Sequence, residues 1–185
     1  MSVVTKILRL AVIGGAFSFA TLARAGDTSF AAPILSLEYG VICDYLPRGV
    51  EVPAPDTNAG MVRRGGGPIS FDIASDIVPA RIGVAFGIRL LMDEAAGTRT
   101  VVMVTRHPSF GPGFMETESW PSTLTGGAPS SRYFFFEFDY ELAPGEWVMD
   151  VFLDDRLVAH KGFSVVDPAT ITGAPDPCPG PPQIS

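Results

Sequence analysis

The feature that most constrains the fold of this chain is the recurrence of apolar residues at every second position. Residues 81–92 show this pattern most clearly, with apolar side chains at Ile82, Val84, Phe86, Ile88 and Leu90. Because successive side chains of a β-strand point to opposite faces of the sheet, the spacing predicts a strand with one buried face. No segment keeps a helical period over three turns, so the sequence predicts an all-β protein.

The last third of the chain predicts a β-hairpin with a large apolar face. Residues 146–153 and 156–166 each alternate, and the side chains predicted to point inward are Trp147, Met149, Val151, Leu153, Leu157, Ala159, Phe163 and Val165. Asp154-Asp155 between the two runs is typical of a tight turn. A hairpin of this composition is expected to supply much of the core.

Further alternating runs predict strands at residues 34–43, 69–78, 100–105, 115–120 and 133–142. Two segments rich in Pro and Gly, 44–68 and 106–114, predict loops, and the first is unusually long. Some seven or eight short strands in a domain of this size favour an immunoglobulin-like two-sheet antiparallel β-sandwich. A small β-barrel is the alternative.

The N-terminus has the features of a secretory signal peptide. Basic residues precede an apolar stretch, and Ala23-Arg24-Ala25 supplies the small residues that signal peptidase reads. We therefore expect a Sec-type signal at 1–25, one β-sandwich domain at 26–167 with its long loop at 44–68, and a Pro-rich tail at 168–185. Such a protein is expected to be periplasmic or secreted, without membrane insertion after signal cleavage.

The charge of the chain excludes some partners. The formal net charge is −7, and removal of the three basic residues of the signal leaves 10 basic and 20 acidic residues, or −10. Nucleic acids and anionic membranes attract basic surfaces, so we expect no nucleic-acid partner. Another envelope protein is the partner that the sequence leaves open.

The two cysteines, Cys43 and Cys178, are compatible with one disulfide. An even count in an exported protein favours a bridge, which would fix the tail to the first predicted strand. The alternative is two free thiols, one buried and one in the tail.

No motif in the sequence predicts catalysis, a cofactor or a metal. The histidines His107 and His160 and the two cysteines form no closely spaced pair of the kind found in structural zinc sites. A G-x-S-x-G nucleophile motif is also missing from the sequence. We therefore predict no catalytic residues, no metal site and no cofactor.

Three carboxylates in the predicted strand 133–142 form a candidate acidic face. Glu137, Asp139 and Glu141 alternate with Phe134, Phe136, Phe138 and Tyr140. Paired carboxylates hydrolyse glycosides and clustered oxygens bind calcium, so an enzyme is one interpretation. An ordinary solvated face of an antiparallel sheet is the favoured one.

The loop 106–114 is a candidate binding loop, with Arg106, His107, Phe110 and Phe114 as its recognition residues. Two prolines stiffen it, and rigid loops with aromatic and Arg side chains suit recognition. The favoured alternative is that its phenylalanines close one end of the sandwich.

Two further surfaces carry weaker signals. Tyr133 and Phe135 would form an exposed aromatic patch if nothing covers them. The run Arg63-Arg64-Gly65-Gly66-Gly67 could bind an anion, although a flexible loop is the better account.

Short motifs are spread over residues 34–166: Leu37-Glu38-Tyr39-Gly40-Val41, Ile77-Val78-Pro79 leading into Phe86-Gly87-Ile88, Gly145-Glu146-Trp147, and the run from Leu157 to Val165. Together they resemble the bacterial domain-of-unknown-function 3859 family. The resemblance implies an exported immunoglobulin-like sandwich without an assigned activity, and it supplies no catalytic residues.

The functional expectation is a non-enzymatic binding or accessory module of the cell envelope. One alternative is a carboxylate- or calcium-dependent hydrolase acting on an envelope polymer, which the acidic face would carry. The other is a structural envelope component. Fold alone does not choose among them.

Overall fold

The computed structural model describes residues 26–67, 69–170 and Cys178. This part of the chain forms strands and three single turns of 3₁₀-helix, at Glu94–Ala96, Asp139–Glu141 and Pro168–Thr170. The strands are β1 Thr28–Phe30, β2 Ile34–Ile42, β3 Val50–Pro53, β4 Met61–Arg64, β5 Ile77–Pro79, β6 Ala85–Met92, β7 Thr98–Arg106, β8 Thr117–Thr125, β9 Ser130–Phe135, β10 Gly145–Leu153 and β11 Arg156–Val166.

The strands form a two-sheet sandwich with one additional hairpin. The larger sheet has the order β1-β11-β10-β7-β8, with β5 along the other half of β11, and the smaller sheet has the order β2-β6-β9. All pairs are antiparallel except β5 with β11. In the described residues β8 and β9 do not pair with each other, so the sandwich stays open and the barrel alternative is wrong.

The core lies between the two sheets and is rich in aromatic rings. Phe86 of β6 lies 5.5 Å from the Trp147 ring of β10 and 5.0 Å from the Phe163 ring of β11. All three side chains are fully buried. Edge-to-face contacts of this kind add to the stabilisation that comes from removing the rings from water.

The alternation that predicted the inner faces is confirmed except at two positions. The predicted inward residues of β6 and β10 are buried. Ile82 is exposed because β6 begins only at Ala85. Leu157 is exposed and Val158 is buried, because a bulge opposite Val151 and Phe152 shifts the pairing of β11 by one residue.

Two predicted segments differ from the structure. The segment 44–68 is not simply a loop, since β3 and β4 pair there as a hairpin. Residues 69–76 contain only an isolated bridge from Ile73 to Val41, so the predicted strand at 69–78 is reduced to β5.

The acidic strand face is also corrected. Strand β9 ends at Phe135, and Asp139 and Glu141 belong to a 3₁₀ turn. Glu137, Asp139 and Glu141 therefore do not share one strand face. Phenylalanines continue to alternate with acidic residues after β9 ends at Phe135, and this pattern made the predicted strand too long.

Cys43 and Cys178 are joined by a disulfide, as predicted. The predicted signal at 1–25 and most of the predicted tail, residues 171–177 and 179–185, lie outside the described residues. Within the described residues, no helix has the length and apolar character needed to cross a membrane.

Candidate functional site

A cleft of about 640 Å³ opens where the edges of the two sheets diverge. Strand β8 of the larger sheet forms one side, and β9 of the smaller sheet forms the other. The β3–β4 hairpin and the glycines after it cover the space between them. A cleft of this volume is in the range that holds a small ligand.

Hydrogen bonds fasten the β3–β4 hairpin to β8. The backbone N–H of Ser119 donates to the carbonyl of Asp56 at 2.9 Å. Asn58, in the turn of the hairpin, donates its backbone N–H and its side-chain amide to the two oxygens of Glu118 at 2.8 and 3.0 Å. Arg64 at the end of β4 donates to the carbonyl of Pro121 at 2.6 Å.

Glu118 also joins the cleft to the loop 106–114. His107 Nε2 lies 3.0 Å from Glu118 Oε1, and both side chains are almost inaccessible to water. A buried carboxylate is stable only when its lone pairs are satisfied, and three donors from Asn58 and His107 meet that need. Glu118 is therefore a fixed part of the wall.

Aromatic rings line the β9 side. The Tyr45 ring lies 4.8 Å from the Tyr133 ring and 5.2 Å from the Phe135 ring, and the two tyrosine hydroxyls are 2.5 Å apart. Burial is the main reason why the pKa of Tyr133 is raised. The predicted aromatic patch at Tyr133 and Phe135 is thus partly covered by Tyr45 and faces the cleft.

Arg132 lies in the middle of β9 and is one of the arginines that line the cleft. Its Nη1 donates to Ser130 Oγ at 2.9 Å and to the carbonyl of Ser131 at 2.6 Å, and its Nη2 donates to the carbonyl of Thr123 at 2.7 Å. The last of these bonds connects β9 to β8. Burial lowers the pKa of Arg132, and the nearby guanidinium of Arg64 lowers it further.

Two of the predicted acidic residues also line the cleft. Glu141 is buried and accepts the backbone N–H groups of Glu137 and Phe138 at 2.7 and 2.9 Å. Burial raises the pKa of Glu141, although these two hydrogen bonds act in the opposite direction. Glu137 is exposed and lies 3.7 Å from Arg63. Asp139 is exposed and is not among the lining residues.

The predicted binding loop contributes mostly to packing. His107 stacks on Phe110 with ring centroids 3.9 Å apart, and Phe110 lies 5.7 Å from Trp147. Arg106 ends β7 and is bound to the buried Asp150 at 2.5 Å. Phe114 is 37% exposed and stacks on Tyr140.

Sequence reasoning missed the residues that build the cleft: Asn58, Glu118, Trp120 and Arg132. None of them belongs to a local motif, and three separate elements bring them together. The signals in the sequence that pointed to this region were the arginines and glycines at 63–67, the aromatic pair of β9, and the predicted acidic residues Glu137 and Glu141.

The described residues contain no group of three or more His, Cys, Asp or Glu placed to hold a metal ion.

The open sandwich, with its core cluster of buried apolar residues and its covered cleft, defines an immunoglobulin-like β-sandwich protein. The sequence profile of the domain of unknown function DUF3859 matches residues 33–165, so the chain belongs to that family. A crystal structure of an immunoglobulin-like protein from Pseudomonas aeruginosa is 21% identical in sequence, with a TM-score of 0.44. The similarity covers 78% of this chain and 100% of that chain. No curated protein matches.

Proposed function

We propose that this protein is a non-enzymatic binding module of the cell envelope and that it binds its ligand in the cleft under the β3–β4 hairpin. The observation that carries the proposal is the cleft itself, which combines a volume of about 640 Å³ with aromatic and charged walls. Ligand sites combine apolar surface with a few fixed polar groups, and this cleft has both.

The state of the polar groups favours binding over catalysis. Glu141, Tyr133 and Arg132 have shifted pKa values, and each is already held by a partner within the chain. An acid or base catalyst must reach the proton that it transfers. No serine or threonine hydroxyl in the described cleft is hydrogen-bonded to a histidine or a carboxylate, so a nucleophile with its base is missing there.

Two features support an envelope location. The N-terminal residues have the pattern of a cleaved Sec-type signal. Disulfides persist in oxidising compartments, and Cys43 and Cys178 form one. A periplasmic or secreted protein fits both features.

The proposal is tested with N-phenyl-1-naphthylamine, a neutral aromatic dye that fluoresces when it leaves water. We expect saturable binding to the mature chain and loss of binding in Ser131→Trp, which fills the cleft. Ser29→Trp, at an exposed position of β1, is the matched control and should bind as the wild type does. Absence of saturable binding, or equal binding by both variants, would overturn the proposal.

A hydrolase is the second candidate, because Glu141 and Glu137 both line the cleft and the carboxyl of Glu141 has a raised pKa. A buried carboxyl with a raised pKa is the form that a general acid takes. This candidate predicts release of sugar from envelope polysaccharide by the wild type and loss of that activity in Glu137→Gln and Glu141→Gln. Lack of activity in the wild type would exclude it.

A further inference from the structure

We propose that the ligand of the cleft is an anion, and that Arg132 and Arg64 bind its carboxylate, phosphate or sulfonate group. This inference rests on the proposed function and adds the chemical class of the ligand. It starts from a guanidinium whose hydrogen-bonding capacity is only partly used.

Arg132 has donors left over after its bonds to the chain are counted. An arginine offers five N–H donors. Three bonds are made, to Ser130, Ser131 and Thr123, and Arg132 Nε is buried without a hydrogen-bond partner in the described part of the chain. A buried donor without a partner is costly, and an acceptor that binds beside Arg132 would remove this cost.

The charge of Arg132 is also not neutralised. No carboxylate of the described residues lies within ion-pair distance of it, whereas Arg63 and Arg89, which line the same cleft, pair with Glu51 and Glu38. The bonds of Arg132 go to neutral carbonyl and hydroxyl oxygens. A partly buried charge is stabilised by a counter-ion, and the described residues supply none to Arg132.

Arg64 places a second guanidinium near the first. Arg64 donates to the carbonyl of Pro121 and Arg132 to the carbonyl of Thr123, two residues further along β8. Burial is the main cause that lowers the pKa of Arg132, and the charge of Arg64 lowers it further. Guanidinium groups are the side chains best suited to bind oxyanions, and neither of these two has a carboxylate partner in the described residues. An anion between them would relieve their mutual repulsion.

The carboxylates of the cleft lie toward its other end. Thr123 and Glu118 are both on β8, five residues apart, which corresponds to about 16 Å along an extended strand. Arg132 bonds to Thr123, whereas Glu141 is influenced by Glu118 and Glu137. The cleft therefore has a basic end and an acidic end, although the whole chain is acidic with a net charge of −7.

The test uses two dyes with the same aromatic body. One is 8-anilinonaphthalene-1-sulfonate, and the other is N-phenyl-1-naphthylamine, which lacks the sulfonate. We expect the mature chain to bind the sulfonate roughly tenfold more tightly than the neutral dye, as a charge-assisted pair with two arginines would give. Arg132→Gln and Arg64→Gln should each lose this preference, measured as the ratio of the two dye affinities within the same variant.

Arg99→Gln is the matched control, because Arg99 pairs with Asp154 away from the cleft. Arg64 is exposed, so its variant decides the result if Arg132→Gln does not fold. Equal affinity for both dyes in the wild type, or a preference kept in Arg64→Gln and in folded Arg132→Gln, would overturn the anion inference while the cleft remains a binding site. Failure of both dyes to bind would overturn the proposed function as well.

Discussion

Two charged side chains that are wholly or partly buried, Lys161 and Arg132, differ in how their charge is compensated. Lys161 is fully buried, yet its Nζ lies 3.4 Å from Asp76 and 3.7 Å from the centre of the Tyr39 ring. Arg132 has only neutral oxygens around it. The first arrangement is typical of a structural charge with a carboxylate and an aromatic face. The second also joins β9 to β8, but it leaves the charge without a carboxylate and the Nε donor without a partner in the described residues, which is why Arg132 is assigned to ligand binding.

Glycine at position 87 lets β9 approach β6 next to Arg132. A Cβ atom at Gly87 would lie 2.0 Å from the carbonyl oxygen of Arg132, which is backbone and does not move aside easily. We expect Gly87→Ala to lower the free energy of unfolding by about 1–3 kcal/mol through overpacking. Urea unfolding followed by tryptophan fluorescence measures it. Gly97→Ser is the control, because Gly97 has a positive φ but no atom near its added Cβ. Its loss of stability measures backbone strain alone, without the steric clash expected at Gly87.

Glu141 predicts a pH dependence of stability. Burial raises its pKa in the folded protein above the ordinary value of 4.5. The folded state then binds the proton more tightly than the unfolded state, so stability from this group is full below pH 4.5 and is lost as the pH rises through the folded pKa. Glu141→Gln cannot titrate and should lack this loss. The prediction would be contradicted if the free energy of unfolding changed equally with pH, between about pH 4 and 8, in the wild type and in Glu141→Gln.

At the scale of elements, the cleft depends on the β3–β4 hairpin. The hairpin is bonded to β8 by Asn58, Asp56 and Arg64, whereas the closest charged contact toward the β9 side is the 3.7 Å pair of Arg63 with Glu137. One side is therefore fixed and the other is weakly held. Such an arrangement allows the hairpin to move when a ligand enters.

Asn58 holds the hairpin most directly, because its side chain also bonds to the backbone of Met115 in both directions. We expect Asn58→Ala to lower stability by about 2 kcal/mol, since it removes a bond to a charged partner and two bonds to backbone. Hydrogen exchange should become faster in residues 50–64 and stay unchanged in β10. Arg63→Gln, which removes the partly exposed ion pairs with Glu51 and Glu137, should change neither measurement appreciably. Uniformly faster exchange would show that the hairpin is not a separate unit.

The sequence predicted the strands with long alternation and failed where alternation was short or misleading. β6, β10 and β11 carry enough apolar positions to identify the inner face. The four-residue strands β3 and β4 are hidden among Pro and Gly, and a strand of that length has little periodic signal. The alternation of apolar and acidic residues continues past Phe135 into a 3₁₀ turn. In such a turn, side chains at every second position do not lie on one face of a sheet.

The candidate site was less predictable than the fold. The Arg63–Gly67 run and the aromatic pair of β9 are visible in the sequence. Their proximity to Glu118 and Thr123 of β8 is not, because it depends on how the edges of the two sheets diverge. The unsatisfied donor on Arg132 has no sequence signature, because it depends on which groups of β8 face it.

For the whole molecule, the disulfide is the largest single constraint on the unfolded chain. It joins positions separated by 135 residues, from the end of β2 to the tail. In the chain-entropy account a loop of this length contributes about 5 kcal/mol. We expect reduction of the wild type, or Cys43→Ala with Cys178→Ala, to lower the urea midpoint strongly. The double variant itself should not respond to reductant, and an unreduced wild type as unstable as the variant would contradict the prediction.

The central claim is that ligand binds between β8 and β9 under the hairpin. Its most direct test is measurement of nuclear Overhauser effects between bound N-phenyl-1-naphthylamine and the isotope-labelled mature chain. The account predicts contacts from the dye to Trp120, Tyr133 and Val62, all of which line the cleft. Contacts confined to Phe114 and Leu157, which are exposed and outside the cleft, would contradict it.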